Sequence, residues 1–304
     1  MSRIVELIGK AEHVTVTTLS DNVVNVLAGE SEFVKRLHGA FIAEHGLSLL
    51  IEVQSELGHR TFLVDTGQGL TLKHNMEQMK IDVNRIEYLV ISHGHYDHTG
   101  GIVEFLKAID HEMPVVAHPD AFKPSIWIKR EGTIRRPFLP VPVTDMESAG
   151  GRLILTKGVF PLFTGTLTTG EVERRAPFEC LEGVFYVDDE GIIESPIKDD
   201  QAVIIDLKNR GLVIVSGCGH AGIANTICQA RKLTGVNQVC CVVGGFHLVG
   251  SSEDRIGKTI QYLKKLKAEV ISPMHCSGFD FTLKAATELS DCFVLNGVGT
   301  QIIL

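Results

Sequence analysis

Residues 89 to 101 read LVISHGHYDHTGG, an apolar run that opens directly into His93, His95, Asp97 and His98. Leu89-Val90-Ile91 reads as a buried strand, and α/β proteins bind their ligands just past the carboxyl ends of such strands. A neutral imidazole is a good ligand for zinc or iron, and a carboxylate adds negative charge to a divalent site. On a tight loop, His93 and His95 can turn two rings toward one ion. Asp97 and His98, displaced along the chain, can then point at a second. Gly94, Gly100 and Gly101 supply backbone freedom for such a loop. Packing alone does not account for three histidines here. A histidine-rich surface loop is the bland alternative.

The rest of the chain supports a layered α/β arrangement. Strands are expected at 13–19, 47–53 and 60–67, a helix at 71–79, the strand RIEYLVIS at 85–92, and a helix from near Thr99 to about Asp110. MPVVAHPD is a further short strand. Between 119 and 200, prolines at 119, 124, 137, 140, 142, 161, 177 and 196 and the lack of a helical period predict loops and short strands. The segment AVIIDLKNRGLVIVSG reads as a hairpin turning at 208–211. After it come helices near 221–233, 252–267 and 280–290, alternating with strands at 236–245 and 268–274 and a final strand. Strands and helices alternating on each side of an irregular middle predict two α/β halves packed together. With no clean linker, the expectation is a single domain over 1–304, with an irregular substrate-covering insertion at about 119–200.

A formal net charge of −8 argues against a general nucleic-acid binder. No apolar run is long enough for a membrane span, and the N-terminal residues carry Arg3, Glu6 and Lys10 where a signal peptide would be apolar. The seven cysteines are an odd, scattered set in mostly apolar segments. That distribution predicts reduced, buried thiols in a cytoplasmic protein. Nothing in the sequence sets an oligomeric state.

The stretch HGHYDH resembles the HxHxDH signature of the metallo-β-lactamase fold superfamily, and FLVDTG (62–67) resembles that superfamily's first motif. The likeness runs through AEHGLSLLIE (43–52), SHGHYDHTGG (92–101), GCGHAGIANT (217–226), GGFHL (244–248) and SPMHCSG (272–278). Together these look like one branch, whose members are labelled dihydropterin ribofuranosylaminobenzene phosphate synthases. The resemblance implies an α/β fold, a four-layer αββα sandwich with two divalent metal ions between its sheets. The ions would be zinc by preference, with iron or manganese acceptable to the same donors.

Carried over to this chain, the resemblance implies His93, His95, Asp97 and His98 as metal ligands and His275 as the last histidine ligand. His220 lies where many relatives supply a metal-bridging aspartate. The strand-end residue there is Cys218, a departure that leaves the bridge open. His220 is the expected ligand, and Cys218 is either a thiolate ligand or a buried structural thiol. His247 follows Gly244-Gly245 and is either a metal or substrate contact or a structural histidine. His45, before a strand, is a candidate pocket-lining residue. Asp65 resembles the superfamily carboxylate that fixes a ligand histidine's tautomer; a strand-end aspartate stabilising its own turn is the alternative.

Two ions of this kind lower the pKa of a shared water. The expected function is therefore a binuclear metal-dependent hydrolase, using a metal-bound hydroxide on a small phosphorylated or ester substrate. Asp97 and Asp65 are its candidate catalytic carboxylates. The alternatives are a transferase-like synthase condensing its substrates at a pterin, and a metal or ligand sensor that turns nothing over. A flavodiiron-like redox protein is disfavoured, because that pattern places Glu where this chain has His95. In the middle segment Lys129, Arg130, Arg135 and Arg136 lie near Trp127 and Phe138, followed by Arg174, Arg175 and Phe178. Cations beside aromatics suit a phosphate joined to a flat ring.

Overall fold

The computed structural model describes residues 8–127, 139–179, 184–188, 191–194 and 197–304. Its strands are β1 (His13–Ser20), β2 (Val34–Arg36), β3 (Ser48–Ser55), β4 (Gly58–Val64), β5 (Tyr88–Val90), β6 (Met113–Ala117), β7 (Ser125–Trp127), β8 (Gly151–Leu155) and β9 (Pro161–Phe163). There follow β10 (Thr166–Thr168), β11 (Val184–Asp188), β12 (Gly191–Glu194), β13 (Ala202–Leu207), β14 (Gly211–Ser216), β15 (Val239–Gly245), β16 (Val270–Met274) and β17 (Thr300–Ile303). One sheet runs β2-β17-β1-β3-β4-β5-β6-β8, a second runs β16-β15-β14-β13-β10-β9, and a small third sheet is β12-β11-β7.

Alternation along the strands builds the layers. On β3, Leu49, Ile51 and Val53 face the second sheet, while Leu50 faces away. On β14, Val213 and Val215 point inward to meet them, and Leu212 and Ile214 point outward. The outer face of the first sheet is covered by helices Leu72–Gln78 and Ile102–Lys107, through Leu72, Met76, Ile102 and Phe105. That of the second is covered by Ile223–Thr234, Glu253–Leu266 and Phe279–Glu288, through Ile227, Ile260 and Phe281. Each large aliphatic side chain buried this way contributes roughly 1.5–3 kcal/mol. The result is an αββα sandwich. Among the described residues, no helix is long and apolar enough to cross a membrane.

Two local expectations change. The helix expected from near Thr99 begins earlier, as a turn over Tyr96–Thr99, and a second helix follows over Ile102–Lys107. The His95 carbonyl accepts from both His98 N and Thr99 N, so Asp97 and His98 stand on a helical turn and not on a loop. The irregular middle also does more than cover the molecule. β8 pairs in parallel with β6, and β10 pairs with β13, so this segment supplies strands to both large sheets.

The parallel segments set up the site. β4, β5 and β6 run parallel in one sheet, and β14, β15 and β16 run parallel in the other. Residues just past β4, β5, β14, β15 and β16 are Asp65, His93 to His98, Cys218 and His220, His247, and His275 with Cys276.

Candidate metal centre

The three imidazoles of the first corner come from both sheets. His93 Nε2 lies 2.9 Å from His95 Nδ1 and 3.2 Å from His220 Nε2. A tetrahedral ion with metal–nitrogen bonds of about 2.0–2.1 Å holds its donors roughly 3.3 Å apart, so these spacings suit one ion. Burial, reinforced by neighbouring imidazoles, holds His93 and His220 well below the usual histidine range. Burial also takes His95 down to about 4, although Asp97 and Asp199 pull the other way. All three are therefore neutral at pH 7, the state that ligates metal.

In the second corner His98 Nε2 lies 3.1 Å from His275 Nε2, and Asp97 Oδ2 lies 3.3 Å from His275 Nε2 and 3.8 Å from His98 Nε2. The far side of each ring is already engaged. His98 Nδ1 donates to Asp65 Oδ2 at 2.7 Å, and His275 Nδ1 pairs with Asn22 Oδ1 at 3.1 Å. With Nδ1 carrying hydrogen in both, two Nε2 lone pairs and a carboxylate oxygen converge, and a cation or a shared proton has to lie among them. Burial opposes charge on His98, yet Asp65 and Asp97 carry it up to about 9. Burial likewise opposes charge on Asp97, but His98 and His275 hold its carboxyl well below the usual range.

One carboxylate supports both corners. Asp65 accepts from Ser92 N at 2.7 Å and from Ser92 Oγ at 2.6 Å, besides His98. The Ser92 hydroxyl thus spends its hydrogen on Asp65 and accepts from His93 Nδ1 at 3.0 Å, leaving His93 Nε2 bare toward His95 and His220. Two glycines allow this approach. A Cβ on Gly217 would collide with Ser92 Oγ, and one on Gly94 would collide with the Ala121 carbonyl. Gly94 is needed for space; its φ is not in the left-handed region.

Cys218 stands between the corners. Its sulfur comes within 4.8 Å of the ligand atoms of His93 and His220, and within 4.8 Å of those of His98 and His275. Its neighbours also include His247 Nδ1 at 3.6 Å and Cys276 Sγ at 3.1 Å. His45 is exposed at the mouth, with Nε2 3.4 Å from Asp97 Oδ2 and its ring stacked on His275 at 5.3 Å.

The structure thus gathers His93, His95, Asp97, His98, His220, His275, Cys218, His247, His45 and Asp65 into one cluster. Arg135, Arg136 and Phe138 lie outside the described residues, as do Lys129, Arg130 and the side chain of Trp127. Arg174, grouped by sequence with the basic and aromatic cluster, donates to the His220 carbonyl at 2.7 Å and to the Ile197 carbonyl at 3.3 Å. Its guanidinium pins a loop of the site. Sequence reasoning missed Asp21, which accepts from His275 N at 3.0 Å, Asn22, Ser92, and Asp199, which accepts from Gly94 N at 2.8 Å. Their only signal was a polar residue at a strand exit or beside a histidine, which spacing does not single out.

A four-layer αββα sandwich with a histidine- and aspartate-rich centre between its sheets defines a metallo-β-lactamase-like class of fold, and comparison with known proteins agrees. The family model described as metallo-beta-lactamase superfamily matches residues 43–177. A protein of Methanocaldococcus jannaschii named 7,8-dihydropterin-6-methyl-4-(beta-D-ribofuranosyl)-aminobenzene-5'-phosphate synthase is 33% identical over 277 residues, 90% of each chain. A second, uncharacterized protein of that organism is 29% identical over 265 residues, 86% of this chain and 94% of its own. A crystal structure described as a metal-dependent hydrolase of the beta-lactamase superfamily matches with a TM-score of 0.75, at 22% identity, covering 95% of this chain and 98% of that one. This chain belongs to the metallo-β-lactamase superfamily.

The hydrolase expected from the sequence is corrected by one of these relatives, since the curated protein that shares 33% identity over 277 residues is a synthase. The physical reason lies in the pocket. Ions held by histidine and aspartate stabilise negative charge developing on oxygen whichever nucleophile attacks, so the ligands do not distinguish hydrolysis from condensation.

Proposed function

We propose that this protein is a metal-dependent synthase that joins a dihydropterin, through its 6-methyl carbon, to a 4-(ribofuranosyl)aminobenzene 5'-phosphate. The observation that carries this reading is the 33% identity to the Methanocaldococcus jannaschii synthase across 90% of both chains. The donor set supports two divalent ions, zinc by preference: one held by His93, His95 and His220, the other by Asp97, His98 and His275. Bound there, such ions supply Lewis-acid stabilisation of an anionic oxygen.

The chain's own groups do the rest. Asp65 orients His98 directly and His93 through Ser92, so the imidazoles meet the ions without rearranging. Arg174 fixes the His220 loop. His45 and Tyr96, rings 6.4 Å apart with Tyr96 44% exposed, offer flat faces at the mouth to an incoming ring. The basic and aromatic residues 127–138 are proposed to take the 5'-phosphate.

The test is direct. Metal-loaded protein is mixed with a dihydropterin carrying a leaving group on its 6-methylene carbon and with the phosphorylated ribosyl arylamine. Mass spectrometry should find the condensed product, and chelator should abolish it. Full metal loading with no condensed product overturns the reading.

A further inference from the structure

Beyond the two histidine-based corners, a third set of donors sits against the same pocket. Cys218, His247 and Cys276 come from the loops after β14, β15 and β16, and their ligand atoms all lie within 4.8 Å of one another. We infer that these three residues form a separate, thiolate-bearing metal site that takes a soft divalent ion such as zinc or cadmium. The inference does not depend on the synthase reading.

Geometry supports a tetrahedral ion. With metal–sulfur bonds of about 2.3 Å and a metal–nitrogen bond of about 2.0–2.1 Å, sulfur and nitrogen donors stand roughly 3.6 Å apart and two sulfurs roughly 3.8 Å. The Cys218 Sγ to His247 Nδ1 distance is 3.6 Å. The two sulfurs, at 3.1 Å, have to open slightly. Both thiols are nearly enclosed, Cys218 at 3% and Cys276 at 8% exposure, so a ligand there is shielded from water.

Two backbone features hold the set together. His247 has φ of 45°, a left-handed conformation uncommon for a residue with a side chain and costly to maintain. Gly245 lies behind the thiols, where an added Cβ would stand 2.7 Å from Cys276 Sγ and 3.1 Å from Cys218 Cα. The adjacent pair Cys240 and Cys241 makes a useful contrast. They lie within β15 among aliphatic side chains of the core. Those thiols are packing; the Cys218 pair faces an imidazole. Two thiolates and a neutral imidazole balance a divalent charge, and thiolate donors select zinc over magnesium or manganese.

Cobalt titrated into the full-length, chelator-stripped and reduced protein reads the site directly. A sulfur-to-metal charge-transfer band should develop. Cys276→Ser should release about one metal equivalent and remove most of the band, since Cys218 and His247 alone are too few donors to hold the ion. The His93→Ala/His95→Ala variant should keep the band while losing a different ion. Cadmium NMR of the unmutated protein, which needs no variant to fold, should place one cadmium in a two-sulfur environment. An undiminished band in Cys276→Ser, no band at all, a one-sulfur cadmium resonance, or a Cys218–Cys276 disulfide persisting under reducing conditions each overturns the inference. None of these readouts involves product formation, so the synthase reading stands or falls separately.

Discussion

Replacing Asp65 by asparagine should disarm both histidine corners at once. Asp65 accepts three hydrogen bonds, at 2.7 Å from Ser92 N, 2.6 Å from Ser92 Oγ and 2.7 Å from His98 Nδ1. Asparagine keeps the shape and tolerates the left-handed φ of 59°, so backbone strain is not what the substitution tests. With its one acceptor oxygen on Ser92 N, its NH2 group faces His98 Nδ1 and Ser92 Oγ, and both must turn from donor to acceptor. His98 then carries its hydrogen on Nε2, the atom that faces His275 and Asp97. The Ser92 hydroxyl, losing its acceptor, becomes free to donate to His93 Nδ1, which moves that ring's hydrogen to Nε2 as well. Loss of a partner behind a ligand histidine lowers metal affinity by about 10–100-fold, or roughly 1.4–2.7 kcal/mol. The two forfeited bonds to a charged group, at about 1.5–3 kcal/mol each, should also lower the metal-free protein's stability by a few kcal/mol. Competition against a chromophoric chelator measures the first effect and urea unfolding the second. Ser92→Ala is the control, because it interrupts only the relay to His93. Wild-type affinity in Asp65→Asn, or equal weakening of both corners by Ser92→Ala, would refute the reasoning.

Three further outcomes follow from the geometry. The double substitution His93→Ala with His95→Ala should remove about one ion by elemental analysis and leave the ion at Asp97, His98 and His275, since only one corner loses its donors; retention of every equivalent would refute the assignment. Gly94→Ala places a methyl against the Ala121 carbonyl, so it should cost about 1–3 kcal/mol in thermal or urea unfolding and loosen the metal loop; an unchanged midpoint counts against it. Burial pushes Cys240 up to about 11 and Cys241 well above its ordinary value, whereas Cys228 is exposed. Site-resolved mass spectrometry after alkylation at pH 8 should therefore find Cys228 modified and both β15 thiols protected until the protein unfolds.

What the sequence made legible was local. β5 runs straight into His93, His95, Asp97 and His98, so the strand and the clustered candidate ligands were readable together in thirteen residues. The apolar run at 47–53 and the hairpin segment AVIIDLKNRGLVIVSG were legible as strands, and they became β3, β13 and β14. The supports of the ligands were not readable, because they come from distant strand exits. Asp21 and Asn22 reach His275 across 254 and 253 residues, through a pocket that exists only once the two sheets have packed. The backbone contacts of Arg174 were illegible for a related reason. A sequence displays an arginine's charge but not the two backbone carbonyls that claim it.

The class of reaction was illegible on different grounds. Metal ligands are selected to hold ions, and a donor set such as the proposed one of His93, His95, His220, Asp97, His98 and His275 would suit water or an amine as nucleophile equally well. Reaction choice resides in what occupies the mouth: which groups exclude water, seat a flat ring and take a phosphate. In this chain the mouth carries His45, stacked on a candidate ligand, and the exposed ring of Tyr96. Neither belongs to the metal pattern that the sequence advertises. A site can therefore be assembled almost completely from its ligand signature while its substrate remains undetermined. The 33% identity over 277 residues to a synthase is what the proposed condensation rests on, and the mouth is where a change of reaction would have to be written.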